Sequence, residues 1–95
     1  MNNDSTFMVP PHVVARTVGA DTVILDLESG TYFGLDPVGT RMWQLIEAGK
    51  SLAGLCDVMN DEYEVSRDAL ERDVLELASE LSVKKLVFLQ KKTGL

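Results

Sequence analysis

Residues 22–46, TVILDLESGTYFGLDPVGTRMWQLI, predict a tight β-hairpin whose second strand runs directly into a helix. The loop is expected at residues 28–30, because Glu-Ser-Gly is a three-residue loop with glycine last, where a left-handed backbone is needed. This loop sets a register in which the large apolar side chains of both strands share one face, the predicted core face. The expected pairs are Leu27 with Thr31, Leu25 with Phe33 and Val23 with Leu35.

The other face of this hairpin is sparser, with Ile24 and Asp26 expected opposite Gly34 and Tyr32. The second strand could be an open sheet edge, and unpaired backbone groups at such an edge can bind an extended peptide. Gly34 either lets the backbone of a ligand approach closely or marks a simple bulge. We therefore predict a peptide-binding edge, with Tyr32 as either a ligand contact or a plain surface residue.

Three capping residues predict three helices after the hairpin. Asp36 is expected to cap the first helix, with Pro37 in the first helical position and Gly49 just past the end. Ser51 and Ser66 are expected to cap the second and third helices. The strand is thus converted to a helix within one residue.

The third predicted helix has one apolar stripe and a mostly acidic shoulder. The stripe has spacings of four, three and four residues, which are typical of a buried helix face: Leu70, Val74, Leu77 and Leu81. The shoulder on the opposite side consists of Ala69, Asp73, Glu76 and Glu80.

The ends of the chain complete the predicted organisation. Residues 1–11 end in two prolines and are interpreted as a mobile N-terminal arm, residues 12–90 as the domain and residues 91–95 as a C-terminal tail. The first strand is expected from His12 to Val18, and residues 86–89 as a short extended segment against the core. The predicted fold class is α+β, a three-stranded antiparallel sheet followed by three helices, similar to a winged helix-turn-helix.

Composition restricts the functions that this domain can have. The 95 residues carry a net charge of −6 with a pI near 4.6, which disfavours nucleic acid and anionic membrane surfaces as partners. A lone cysteine excludes an internal disulfide, and we find neither a secretion signal nor an apolar run of about 20 residues. The sequence therefore predicts a soluble, cytoplasmic protein.

The residues needed for catalysis are scarce. One histidine, His12, and one cysteine, Cys56, cannot supply a metal site or a nucleophile with its base, and both are interpreted as structural. No phosphate-binding glycine motif occurs, and the pair Asp61-Glu62 is expected in a loop. Trp43 is interpreted as a large core or rim residue between hairpin and helices, in preference to a partner anchor. We expect no enzymatic activity, no metal and no cofactor.

The hairpin and helices together resemble the PqqD-like family, also called the RiPP recognition element. Residues 25–46 match the shape L-x-L-E-S-G-x-Y-F-x-L-[ND]-x-V-G-x-x-[IM]-W-x-L-I. Residues 51–55 match S-L-x-x-L, and residues 73–81 match D-V-L-x-L-x-x-x-L. The resemblance covers residues 13–87 and is nearest to the stand-alone elements of lasso-peptide pathways.

This resemblance implies a non-catalytic protein that binds the leader of a ribosomally made precursor and presents it to a modifying enzyme or leader peptidase. The leader is expected to add as a strand beside residues 31–35, with residues 69–80 as the cleft wall. The acidic shoulder would favour a basic leader residue, and Arg72 could receive a carboxylate. The implied binding residues are Thr31, Tyr32, Phe33, Gly34, Leu35, Asp36, Ala69, Arg72, Asp73, Glu76, Leu77 and Glu80.

Several alternatives stay open at this point. The pathway could instead be that of pyrroloquinoline quinone or of another radical enzyme, and the outline also fits a winged-helix DNA-binding protein or an adaptor of protein subunits. Asp36-Pro37 replaces the commoner Asn-Glu, and Ser82-Val83-Lys84 lacks the glycine usual before the terminal apolar segment. The third helix could therefore run on and exchange between the protomers of a homodimer.

Overall fold

A computed structural model of the chain describes residues 5–90 and confirms the predicted fold class. The strands in this part of the chain are β1 (Thr6–Met8), β2 (Val13–Val18), β3 (Asp21–Asp26), β4 (Tyr32–Leu35) and β5 (Phe88–Gln90). The helices are α1 (Pro37–Glu47), α2 (Leu52–Glu62) and α3 (Arg67–Val83). Strands β2, β3 and β4 form an antiparallel sheet in that order, and β1 pairs with β5 in a separate two-stranded sheet.

The predicted register of the β3–β4 hairpin is wrong by one residue on β3. Strand β4 keeps Phe33 and Leu35 toward the helices, but their partners on β3 are Ile24 and Thr22. Ile24, which was expected on the sparser face, is fully buried, and Val23 is 37% exposed. A shift of one residue exchanges the two faces of a strand, so the core-facing residues of β3 are the even-numbered ones.

The side chain of Asp26 explains this shift. Its Oδ1 accepts the backbone N–H of Glu28 at 2.9 Å and of Ser29 at 3.4 Å, while the Asp26 N–H donates to the Thr31 carbonyl at 2.9 Å. The loop therefore has four residues, 27–30, and the aspartate that precedes it, Asp26, caps the turn. Gly30 retains the expected left-handed conformation, with φ 75°.

The helices begin where the capping residues predict. Asp36, Ser51 and Ser66 each accept a backbone N–H three residues further on, at 2.7, 3.1 and 3.2 Å respectively. The pair Asp61-Glu62, expected in a loop, instead forms the last two residues of α2. Glu62 accepts hydrogen bonds from the Arg41 guanidinium at 2.7–3.2 Å, which joins the end of α2 to α1.

The core lies between the sheet and the three helices. Trp43 is 1% exposed, which confirms its interpretation as a core residue. Its neighbours in the buried cluster include Ile24 of the sheet, Leu55 of α2 and Leu81 of α3. The helices cover one face of the three-stranded sheet, and the other face of this sheet has no helix layer.

The N-terminal segment differs from the predicted mobile arm. Residues 6–8 form β1, which pairs antiparallel with β5, and Phe7 is 5% exposed within the core. The backbone carbonyl of Ser5 also accepts the N–H of Leu52 at 2.9 Å, at the start of α2. The described part of this segment is therefore bound to the domain. Residues 1–4 and the predicted tail 91–95 lie outside the described residues.

Helix α3 does not run on past its expected end. Lys85 adopts a left-handed conformation with φ 61°, and the N–H of Leu86 donates to the Leu81 carbonyl at 2.9 Å. This is the hydrogen bond of a Schellman motif, with Lys85 in the position that glycine usually takes. Leu86 and Val87 then turn back and are buried against the core, as predicted, but they form a bend, and the extended backbone begins only at Phe88.

None of the helices in residues 5–90 has the length and apolar character that crossing a lipid bilayer requires.

We expect Lys85→Gly to raise the free energy of unfolding by about 0.5–1 kcal/mol, because glycine adopts the left-handed conformation without the steric cost that a Cβ atom incurs. The neighbouring Lys84→Gly is the matched control. Lys84 has φ −82° and gains nothing from glycine, so this variant should be no more stable than the wild type. Urea unfolding monitored by circular dichroism measures both. A Lys85→Gly variant no more stable than the wild type would contradict this account of the helix end.

We also expect the hairpin to make stability depend on pH through Asp26. Desolvation raises the pKa of Asp26, but the backbone N–H groups of Glu28 and Ser29, the Ser29 side chain and nearby His12 outweigh it, so the pKa lies below its ordinary value. A carboxyl group whose pKa is lower in the folded than in the unfolded state stabilises the fold at pH values above the unfolded pKa. This stabilisation is lost as the pH falls through the folded-state pKa.

The wild type should therefore lose stability relative to Asp26→Asn as pH falls from about 5 to about 2. The midpoint of urea unfolding, measured at several pH values for both proteins, tests this expectation. Parallel pH profiles of the two proteins would show that the Asp26 carboxylate is not responsible.

Candidate functional site

Strand β4 is an edge strand of the three-stranded sheet. Within residues 5–90, it pairs with β3 on one side and with no strand on the other. Backbone groups of successive residues point to opposite sides of a strand, and the Thr31 carbonyl points to β3. Phe33 and Leu35 therefore bond to β3, while the N–H and C=O groups of Tyr32 and Gly34 point outward from the sheet.

A groove of about 440 Å³ runs between this free edge and α3. Its position follows from the Asp36 cap, because α1 begins one residue after β4 ends and its first turns close the bottom of the groove. The apolar lining comes from three elements: Phe33 and Leu35 of β4, Val38 and Met42 of α1, and Leu77 of α3. The groove thus combines free backbone groups along one wall with apolar side chains.

Carboxylates are the charged groups of this groove. Asp73, Glu76 and Glu80 lie on one face of α3, at spacings of three and four residues around Leu77, and are called the acidic row. In the described part of the chain, none of the three forms an ion pair. The Asp36 carboxylate also lines the groove, but it accepts the Gly39 N–H at 2.7 Å as the helix cap.

A second pocket of about 280 Å³ adjoins the groove at Phe33 and is called the lysine pocket. Thr31, Tyr32 and Phe33 form one side of it, and Lys84 and Leu86 form the other. The Lys84 Nζ lies 5.5 Å from the centroid of the Phe33 ring, within the range of a cation–π interaction. The start of β4 therefore faces a cation.

The structure brings most of the predicted binding residues together. Eight line the groove: Phe33, Gly34, Leu35, Asp36, Asp73, Glu76, Leu77 and Glu80. Thr31 and Tyr32 line the lysine pocket, whereas Ala69 and Arg72 line neither cavity.

Sequence reasoning missed five lining residues: Val38, Gly39, Met42, Lys84 and Leu86. In the sequence, Val38 and Met42 fit the apolar stripe of α1 together with Leu45 and Ile46, and a residue of such a stripe can border a cleft as well as the core. The cap at Asp36 was the available signal, because it places the first turns of α1 against the end of β4.

Gly34 occupies a regular position in this edge. It pairs in register with Val23, so the interpretation as a bulge is wrong. A Cβ atom built at Gly34 would meet no atom within 4 Å, which means that the fold does not require glycine there. Side chains can therefore be introduced at this position without disturbing the core.

The reactive side chains lie elsewhere. Cys56 is buried in α2, and desolvation raises the pKa of its thiol, which favours the protonated, unreactive form. His12 precedes β2, with its Nδ1 3.3 Å from a Glu28 carboxylate oxygen at the hairpin loop. In residues 5–90, no three side chains of the metal-binding types come close enough to hold a metal ion.

Two solved structures share this fold. The first is described as TbiB1 in complex with the TbiA(beta) leader peptide; it is 39% identical over 84% of this chain and 93% of its own, with a TM-score of 0.81. The second is described as lasso peptide synthetase B1 complexed with the leader peptide; it is 28% identical over 86% of this chain and 96% of its own, with a TM-score of 0.80. No curated protein matches the sequence.

The sequence profile of coenzyme PQQ synthesis protein D (PqqD) matches residues 21–87, which run from β3 to just before β5. This range contains the hairpin, all three helices and the groove between them. The resemblance identified from the hairpin and helix motifs is confirmed, and the chain belongs to the PqqD family.

Proposed function

We propose that this protein binds the leader of a ribosomally synthesised precursor peptide by strand addition to β4 and delivers it to a modifying enzyme or leader peptidase in lasso-peptide biosynthesis. Two similar structures hold leader peptides, and both belong to proteins of nearly the same length as this domain. Strand addition is a common mode of peptide recognition, in which backbone hydrogen bonds give affinity and side-chain pockets give specificity.

The free edge of β4 opposite α3 is the observation that carries this proposal. Tyr32 and Gly34 offer two N–H donors and two C=O acceptors to a ligand, spaced for a β-strand. The groove beside them takes the side chains of every second ligand residue, because alternate side chains of an added strand point to the helix layer.

Backbone hydrogen bonds to the edge of β4 are too weak by themselves for micromolar binding of a peptide. Four backbone hydrogen bonds contribute about 2–6 kcal/mol at about 0.5–1.5 kcal/mol each. Micromolar binding requires about 8 kcal/mol, and each ordered ligand residue costs about 1–2 kcal/mol of entropy. Burying a leucine-sized side chain supplies about 1.5–3 kcal/mol, so at least two apolar ligand residues must enter the groove between β4 and Leu77.

The proposed role is binding without catalysis. The lining of the groove, as far as the described residues show it, contains carboxylates and apolar groups but neither histidine nor cysteine. A chemical step on the precursor is therefore assigned to the recruited enzyme.

The winged-helix DNA-binding alternative receives little support from α3. Its Arg67 guanidinium is held by Asp57 at 2.6 Å and Glu71 at 3.0 Å, which leaves fewer free cations to neutralise phosphates. The acidic row on the same helix would repel a phosphate backbone. We retain strand addition as the proposed mode.

We expect Gly34→Pro to weaken binding of a fluorescent TbiA(beta) leader peptide at least tenfold, because proline removes an outward N–H donor and its ring hinders an added strand. Gly34→Ala, which keeps the N–H and has room for its Cβ atom, is the matched control and should bind within about threefold of the wild type. Fluorescence anisotropy measures both dissociation constants, and circular dichroism checks that the variants fold. Equal affinity of all three proteins for this peptide would rule out strand addition to β4.

Backbone hydrogen exchange gives a prediction that needs no ligand. The amide protons of Phe33 and Leu35 should exchange slowly, because they bond to β3, while those of Tyr32 and Gly34 should exchange rapidly. Residue-resolved exchange measured by NMR on the free protein tests this. Strong protection of Tyr32 and Gly34 would mean that the edge is already paired in the free protein and unavailable to a leader.

A further inference from the structure

The two ends of the binding edge carry opposite charges. The acidic row of Asp73, Glu76 and Glu80 lines the groove that reaches the end of β4 and the start of α1. Lys84, just past α3, faces the start of β4 in the lysine pocket. Helix α3 and strand β4 thus run in opposite directions along the cleft, with the anionic groups at one end and a cation at the other.

These charges are not compensated within the described domain. Three carboxylates elsewhere on the helices do form ion pairs: Arg41 pairs with Glu62 at 2.7 Å, and Arg67 pairs with Asp57 and Glu71. By contrast, the acidic row forms no ion pair with any described residue.

Lys84 likewise forms no ion pair with the acidic row. It is four residues beyond Glu80, a spacing that suits an ion pair on a helix. Its ammonium group nevertheless lies over the Phe33 ring, and the two charges do not come within 4.0 Å. The cleft therefore keeps two separate charged positions, one for each sign.

We infer that the cleft selects an extended peptide by the order of its charges: a basic residue opposite the acidic row and, about four residues C-terminal to it, an acidic residue opposite Lys84. This inference rests on the proposed function and specifies the class of peptide that the site takes. Between the two charged positions, the ligand side chain that faces the groove must be apolar, because Phe33 and Leu77 lie there.

The separation of about four residues follows from helix and strand geometry. Glu76, in the middle of the acidic row, is eight residues from Lys84, which is about 12 Å along a helix axis. An extended peptide covers that length in about four residues. Four is an even number, so both charged side chains of the ligand point to the same face of the added strand.

The order of the charges follows from strand direction. Antiparallel addition is slightly more stable than parallel addition. An antiparallel ligand has its N-terminal part beside Leu35 and Asp36 and its C-terminal part beside Tyr32. Its basic residue therefore precedes its acidic residue, whereas a parallel ligand would need the reverse order.

A phage library of random twelve-residue peptides, selected on the immobilised full chain, tests this inference without a known ligand. Peptides bound by the wild type should be enriched about two- to fivefold at each charged position, the preference expected of a partly exposed ion pair. The enriched pattern should be Lys or Arg, then Asp or Glu four residues later. Selection in 1 M NaCl should reduce the enrichment, because salt screens partly exposed charges.

Charge-reversal variants identify the protein groups that are responsible. Glu76→Lys, which leaves Asp73 and Glu80 in place but makes the row much less negative, should weaken the basic preference, and Lys84→Glu should replace the acidic preference by a basic one. Asp61→Lys, which makes the same change of charge at an exposed position outside the cleft, is the matched control and should select the wild-type pattern. Glu76→Gln, a milder change that keeps Asp73 and Glu80, should reduce the basic preference by less than Glu76→Lys does.

The outcomes separate this inference from the proposed function. Peptides that bind the wild type but not Gly34→Pro, and that show no charge order, would overturn the inference and leave strand addition intact. A charge order that Glu76→Lys and Lys84→Glu leave unchanged would overturn it as well. Failure of the wild type to select any peptide would overturn the proposed function together with the inference.

Discussion

The hydrogen bonds that the Asp26 carboxylate accepts from the loop determine the arrangement on which the rest of the structure depends. They fix a four-residue loop, and the loop fixes which residues of β3 oppose β4. Ile24 then lies opposite Phe33 on the core face, and the outward backbone groups of β4 lie at Tyr32 and Gly34. A carboxylate at this position gains hydrogen bonds from two backbone N–H groups that would otherwise depend on water.

The direct passage from β4 into α1 builds the cleft. Because Asp36 ends the strand and caps the helix, the first turns of α1 lie against the end of the same strand whose outer edge is free. Helix α3 then supplies the second wall, with Leu77 toward the apolar lining and carboxylates around it. One capping residue thus joins the surface that offers hydrogen bonds to the surface that offers side-chain contacts.

A free strand edge is also a risk, because it can pair with another copy of the same chain. Strand β4 is short, at four residues, and the acidic row beside it belongs to a chain with a net charge of −6. Two copies that meet edge to edge would bring their acidic rows together, which opposes pairing through like-charge repulsion. Under the proposed function, the same charges would discourage self-association while favouring a short peptide with a basic residue.

The sequence by itself determined what depends on neighbouring residues: the three capped helices, the strand-to-helix junction, and the placement of Tyr32 and Gly34 on the exposed, sparser face of β4. The tertiary structure decided three other features: the register of β3, the pairing of β1 with β5, and the contribution of Val38, Met42 and Lys84 to the cleft. Glu-Ser-Gly fits a three-residue loop equally well, and only the burial of Ile24 together with the Asp26 hydrogen bonds selects the longer one. Strands β1 and β5 lie at opposite ends of the chain, and no local pattern reveals such a contact. Lys85 accepts a strained conformation because Leu86 and Val87 gain burial beyond it, a balance that only the packed core establishes.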